Sequence, residues 1–463
     1  MSPPLPNPYL DGPLGPTYVK TALPIIFVMG TNGLLAVVDA LFLGHFVGPE
    51  ALAAVTLMFP ATMLVIAAAT LVSNGMSSIL ARHLGGRRIS EARAVFAGAH
   101  GLALVVAGAL IVLLPVVGGP AADLASAGSQ ELTRMGLVYL RLAVLFSPVL
   151  FLLSVNSDAL RNEGRVGFMA AMSLLVSLAN IGFDYVLIAL LGMGVAGSAV
   201  GTVLAQALAL GIIVAFRVRG ATVLRPSALV EHSLMYGWRR ILALGAPQSL
   251  GFIGLALGSA AIMITLQLVG SASYGSTVSA YGIVTRIMTF AYLPLLGLSQ
   301  AMQTITGNNY GAARWDRSNA SLRTAIIAAL IYCAAIQLVL SASALRIGAA
   351  FVSDPVVIAE VGRILPVVVM AFTFTGPLMM IAAHFQAIGE ARRAALLSLA
   401  KPYLFAVPLT FVLASTAGEW GIWRAGPIAE IMLLGLTAGV LARAASRGTR
   451  RWGLFQPVAE ARS

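Results

Sequence analysis

The sequence predicts an all-α polytopic membrane protein, with twelve transmembrane helices in two six-helix lobes related by a pseudo-twofold axis. Three observations carry this prediction: composition, the placement of arginines, and an internal repeat. Apolar residues make up 59% of the chain and charged residues only 10%, where a soluble domain carries about 25% charge. Such a chain lacks the charged shell that water demands. Its apolar stretches mostly reach the ~20 residues needed to cross hydrocarbon.

The spans read as 18–46, 52–83, 92–117, 131–159, 167–190, 195–217, 238–269, 275–307, 318–343, 357–387, 393–415 and 421–446. The net charge of +12 is arranged as a topology signal and not as a nucleic-acid patch. Arg82, Arg87, Arg88 and Arg93 follow span 2, Arg161 and Arg165 follow span 4, and Arg217, Arg219, Arg225, Arg239 and Arg240 follow span 6. Arg314 and Arg317 follow span 8, Arg392 and Arg393 follow span 10, and Arg447, Arg450, Arg451 and Arg462 lie in the tail. Segments 47–51, 191–194 and 270–274 contain no Lys or Arg. This alternation predicts twelve spans with both termini cytoplasmic, and an inner-membrane location is expected. The Pro-rich start lacks a basic n-region, so the first span is expected to be retained. The single cysteine, Cys333, excludes an internal disulfide and reads as a packing residue.

The repeat has a shift near 226 residues. Leu84-Gly-Gly-Arg-Arg88 matches Tyr310-Gly-Ala-Ala-Arg314, Arg161-Asn-Glu-Gly-Arg165 resembles Ala387-Ile-Gly-Glu-Ala-Arg-Arg393, and Gly194-Val195 matches Gly421-Ile422. Six spans per copy place both copies in one orientation, related by an axis along the membrane normal. The charged segment 218–237 reads as the linker, giving an N-lobe of 1–235 and a C-lobe of 236–463.

Most acids lie in loops or at helix ends; Asp39 in span 1 and Asp184 in span 5 do not. A charge at membrane depth costs several kcal/mol unless paired, hydrated or neutralised. Burial disfavours the charged form, which suits such a carboxyl to exchanging a proton near neutrality. Ser173, Ser177, Asn180 and Asp184 form one stripe on span 5; Ser198, Thr202 and Gln206 form another on span 6. Asn32 shares a face with Asp39, and span 4 offers Tyr139, Arg141 and Asn156. Carboxylate, amide and hydroxyl oxygens are hard donors suited to H⁺ or Na⁺, so these residues form a candidate ion site in the first lobe. The competing reading is that they glue helices together. In the second lobe Asp39 corresponds to Thr265, and Asp184 to an apolar stretch near Leu409. There Arg286 and Arg363 read as the strong charges inside spans, and no equivalent ion site is expected.

Gly192-Met-Gly-Val-Ala-Gly197 spells a dinucleotide fingerprint, but it sits between membrane helices with no βαβ unit, so its glycines read as turn formers. With no P-loop, metal cluster or Ser/His/Asp set, the chain reads as a non-enzyme without cofactors, driven by an ion gradient. Met172, Met288 and Phe290 are candidates for an adaptable apolar cleft, with Arg286 beside them as an anion or carbonyl contact.

These residues resemble the multidrug and toxic-compound extrusion (MATE) family across nearly the whole chain. The resemblance rests on Val38-Asp-Ala-Leu-Phe-Leu-Gly44 with Gly48-Pro-Glu-Ala-Leu-Ala-Ala54, on Leu160-Arg-Asn-Glu-Gly164, and on Asn180-Ile-Gly-Phe-Asp184 with Gly192-Met-Gly-Val-Ala-Gly-Ser-Ala199. Arg286 and Gly307-Asn-Asn-Tyr-Gly-Ala-Ala-Arg314 extend it. The pattern is similar to the DinF-like branch. It implies two lobes in a V, and export of small cationic or amphipathic organic compounds by H⁺ or Na⁺ antiport through alternating access. It places Asp39 and Asp184 at the cation site with Asn180 and Thr202, where Na⁺ could bind, and Tyr139 and Asn156 in the adjoining polar network. The second-lobe acids of NorM-like members have no match. A monomer in contact with membrane lipids is expected, and no nucleic-acid partner. Two rival readings are a flippase for lipid-linked saccharides of the same superfamily and a membrane-embedded enzyme.

Overall fold

The computed structural model describes residues 7–126, 129–220, 222–270, 274–448 and 450–457. Among them the chain is helical apart from turns and one isolated β-bridge, Arg451 to Phe455. The first half comprises α1 (Leu14–Phe46), α2 (Pro49–Leu57), α3 (Phe59–Gly85), α4 (Ile89–Ala125), α5 (Gln130–Leu145), α6 (Ser147–Asn162), α7 (Val166–Asp184), α8 (Gly194–Val218) and the short α9 (Ala228–Glu231). The second comprises α10 (Trp238–Val269), α11 (Tyr274–Gly311), α12 (Trp315–Phe351), α13 (Pro355–Val368), α14 (Phe372–Ala387), α15 (Ala391–Leu399) and α16 (Val407–Ser446).

Nine helical runs among the described residues are long and apolar enough to cross a membrane. The pairs α5–α6 and α13–α14 cross as bent units, with breaks of 48° and 46°. Pro148 at the start of α6 explains the first break, since its ring displaces the preceding carbonyl and supplies no N–H. The last run, Ala391–Ser446, has 56 residues and would extend ~84 Å if straight, against ~30 Å of hydrocarbon. It folds back at Gly418 (φ 59°, ψ −144°). A Cβ on Gly421 would lie 1.9 Å from the Leu413 carbonyl oxygen, whereas a straight helix would separate them by about 12 Å. With that run counted twice, there are twelve crossings.

The repeat is written into the backbone. Arg87 and Ala313, both at φ near +57° (57° and 56°), occupy the same left-handed turn position after the second crossing of each half. Gly164 and Gly389, Gly192 and Gly418, and Gly220 and Gly448 repeat the positive φ at the later corners. Arg88 N donates to His83 O at 2.8 Å and Arg314 N to Asn309 O at 2.9 Å, so both helices end in the same closing bond.

Two compact units emerge. The first holds Met1–Gly12 and Leu23–Ser249, and the second Pro13–Ala22 and Leu250–Ser463. Within the first, the start of α10 packs against α3 with no space for side chains. A Cβ on Gly75 would stand 2.0 Å from Ile241 O, and one on Gly245 1.8 Å from Leu71 O. Within the second, Tyr18 at the start of α1 donates its hydroxyl to Ser321 O at 2.9 Å. Cys333 is fully buried against Gly376, as a packing residue would be.

Candidate functional site

Asp184 is the last α-helical residue of α7 and is 1% exposed. Beyond it the ladder widens into a π-helical segment, Tyr185–Leu190, closed by Leu191 N to Val186 O at 3.0 Å. Such π segments offset side chains from the regular helical register. One turn before Asp184, the buried Asn180 donates Nδ2 to Asp184 Oδ1 at 3.2 Å and to Thr202 Oγ1 of α8 at 3.2 Å. One turn earlier on α8, the buried Ser198 donates its hydroxyl to Asp39 Oδ1 of α1 at 2.9 Å. The two carboxyls lie in hydrogen-bonding reach of each other, and Tyr139 of α5 sits within electrostatic reach of both. Four crossings thus converge on one oxygen-rich point.

Two glycines admit this convergence. A Cβ on Gly201 would fall 2.3 Å from Asp184 Oδ1, and one on Gly197 would press on Leu187 and Ile188 at 3.1–3.2 Å. Only a glycine face lets α8 approach the carboxyl this closely. The fingerprint-like glycines serve the neighbouring turn, where Gly192 and Gly194 hold φ of 63° and 58°.

Among the described residues neither Asp39 nor Asp184 has an ion-pair partner. Two negative charges held this close repel, and a proton or a small cation between them relieves the repulsion.

The other predicted residues distribute as follows. Ser177 is buried and bonds back to Ser173 O at 3.3 Å. Asn32 is exposed and accepts from Ser173 Oγ at 3.4 Å, two turns along α1 from Asp39. Gln206 is half-buried one turn beyond Thr202. Asn156 lies in a separate network near the arginine-rich end of α6. It accepts from Arg217 Nε at 2.9 Å and shares a 3.0 Å hydrogen bond with His100 Nε2. Arg217 in turn pairs with Glu163 at 2.8 Å. Asn156 is drawn there because the guanidinium needs acceptors for its several N–H groups once buried. Met172 is half-buried on α7. In the second unit, α11 carries Arg286 exposed, Met288 half-buried and Phe290 57% exposed.

The second unit corrects one expectation. Arg286 and Arg363 are not its principal charges within spans. Lys401 pairs with Glu430, whose side chain is only 4% exposed. Both residues stand inside apolar runs, so the depth argument that singled out Asp184 applies to them equally. Arg363 pairs with Glu360 and Glu419, near the fold-back at Gly418.

The sequence profile of the MatE family matches residues 24–186 and 247–412, one stretch in each half. The chain belongs to the MatE family. It is therefore a multi-pass membrane transporter and not an enzyme. Among similar MatE-family relatives, a protein of Shewanella oneidensis described as an FAD transporter is 23% identical over 438 residues, covering 94% of this chain and 95% of the relative. The multidrug export protein MepA of Staphylococcus haemolyticus is 24% identical over 422 residues, covering 88% and 89%. A solved MATE family multidrug resistance transporter in an outward-facing conformation superposes with a TM-score of 0.85. It has 24% identity and covers 94% of this chain and 97% of that one. The twelve-crossing fold is thus the MATE fold.

Proposed function

We propose that this MatE-family transporter is an antiporter that exports small cationic or amphipathic organic compounds by alternating access, driven by entry of H⁺ or Na⁺. The observation that carries the reading is the facing pair Asp39 and Asp184, enclosed with Asn180, Thr202 and Ser198 and lacking an ion-pair partner among the described residues. Cation uptake removes the repulsion between the carboxyls and changes how α1 meets α7 and α8. That gives the ion a means to bias one conformation over another. The likeness to a multidrug export protein supports the substrate class. On this reading the chain is a monomer in the inner membrane with both termini cytoplasmic, and the functional halves divide at 235/236.

The test is substrate efflux from proteoliposomes under a pH gradient and, separately, under a Na⁺ gradient. Wild type should respond to at least one, and Asp39→Asn and Asp184→Asn to neither. Gradient-driven efflux surviving both substitutions would sink the proposal.

A second reading, transport of an anionic compound such as a nucleotide or a lipid-linked saccharide, draws on Arg286. It is exposed within a membrane-spanning helix and has no ion pair among the described residues, and one relative is described as an FAD transporter. Arg286→Ala distinguishes the readings: it should leave export of organic cations intact and abolish export of anions.

A further inference from the structure

The second unit contains a charge pair that the coupling scheme does not use. Lys401 is the second residue of a π-helical segment, Ala400–Ala406, about 15 Å into its crossing at 1.5 Å per residue. It lies inside a run that is long and apolar enough to cross a membrane. Pro402 and Pro408 lie in and just beyond this segment; lacking N–H groups, they weaken the ordinary ladder there. Glu430 faces Lys401 from α16, twelve residues past the Gly418 fold-back, and is 3% exposed. Tyr292 of α11 lies within reach of both Lys401 and Glu430. The buried Cys333 of α12 is also in electrostatic reach of Glu430.

Without the lysine, this place would be a carboxylate and a phenol oxygen enclosed by apolar helices. That is the chemistry of the first unit's site, and a monovalent cation suits it. The ammonium supplies that cation from within the chain. An ammonium is a compact point charge with three donors, and it neutralises Glu430 where an exchangeable ion would otherwise be required.

We propose that Glu430 and Tyr292 form a second monovalent-cation site, held permanently loaded by the tethered ammonium of Lys401. Lys401 is then the residue that limits ion exchange to the Asp39–Asp184 site and sets the number of coupling ions. The inference rests on the first-unit coupling proposed above, and the experiment separates the two.

The experiment counts cations bound per chain on the purified full-length protein, using radioactive Na⁺ at fixed pH and, in parallel, proton release on Na⁺ addition or proton uptake on acidification. Lys401→Gln should bind one cation more than wild type, and the Lys401→Gln, Glu430→Gln double variant should return to the wild-type number. The sodium and proton arms tell which cation enters. A Lys401→Gln protein that folds and binds no additional cation overturns the proposal. If wild type binds no cation dependent on Asp39 and Asp184, the first-unit reading fails instead, whatever Lys401→Gln does. If Lys401→Gln does not fold, infrared spectra of wild type against the charge-neutral double variant decide. Wild type should show a carboxylate band that the double variant lacks, and Na⁺ addition should leave that band unmoved. A shift of that band on Na⁺ addition, in step with the aspartate bands, overturns the proposal.

Discussion

The two halves share a backbone and differ in charge balance. In the first, two acids meet with no basic partner among the described residues. In the second, one acid meets one lysine. A buried ion pair is destroyed by removing either member, whereas a buried like-charge pair is relieved by removing one. Function and stability should therefore separate between the halves. The internal repeat supplies two similar frames; on the function proposed above, the placement of a few ionisable side chains lets one frame exchange ions while the other holds together.

The largest expected effect breaks that comparison directly. Asp184→Asn should reduce gradient-driven efflux to the background of protein-free vesicles while the protein melts no lower than wild type, since a repulsion has been removed. Glu430→Ala should do the reverse to the fold. It leaves Lys401 buried without its counter-ion, at a cost of about 3–5 kcal/mol, and its thermal midpoint in detergent should fall by roughly 10 °C. Equal destabilisation by the two substitutions would refute the contrast.

Next in size is Gly201→Ala. Its methyl group would enter the space of Asp184 Oδ1, 2.3 Å away, and overpacking of this kind costs about 1–3 kcal/mol. The displaced carboxyl should weaken apparent ion affinity by roughly tenfold, since 1.4 kcal/mol is a factor of ten. The ion concentration at half-maximal efflux measures this directly. In the second half the position 226 residues on is the buried Pro427, so nothing there calls for the same glycine face.

A third effect contrasts the corners after the fourth crossing of each half. Glu163 is paired with Arg217 and accepts from Leu224 N at 2.9 Å, with side-chain exposures of 4% for Glu163 and 1% for Arg217. Its counterpart Glu390 is paired with Arg393 and with Arg450 of the C-terminal tail, but is 33% exposed. Arg217→Met should therefore cost about 3–5 kcal/mol, and Arg450→Met about 1 kcal/mol or less, because the Glu390 left behind is 33% exposed and keeps Arg393 as a partner, although Arg450 itself is buried. Thermal unfolding of the two variants side by side tests the ranking; a larger loss at Arg450 would reverse it.

Much of this was legible in the residues. Apolar runs and alternating arginines predict the crossings, and the 226-residue shift predicts a repeated frame, which the left-handed turns at Arg87 and Ala313 display. The stripe Asn180, Asp184 and its counterpart Ser198, Thr202 predict the convergence of α7 and α8, because residues four apart share a helical face. Three features escaped. The partnership of Lys401 with Glu430 joins residues 29 apart across a fold-back, and each alone reads as one isolated charge. Gly201 has no chemical signature, and its role is a matter of space beside a carboxyl. Asn156 was expected in the polar network adjoining the ion site; its amide is bound by the buried Arg217, which reads from sequence as a loop charge.

The smallest effect sharpens the comparison most. Thr202→Val keeps the shape of the side chain and removes one hydroxyl, which accepts from Asn180 at 3.2 Å. Asn180 retains Asp184 as an acceptor, so the stability cost should stay near 0.5–1.5 kcal/mol. The hydroxyl oxygen matters differently to the two candidate ions. A sodium ion gathers several oxygen ligands, and losing one weakens its binding. A proton resides on a carboxyl and needs no such shell. If sodium drives transport, Thr202→Val should raise the Na⁺ concentration at half-maximal efflux by several-fold; if protons drive it, the pH profile should be unchanged. An altered pH profile with intact sodium response would mean that Thr202 acts through Asn180 on the carboxyl itself. The coupling unit would then be the Thr202–Asn180–Asp184 chain and not the aspartate pair alone.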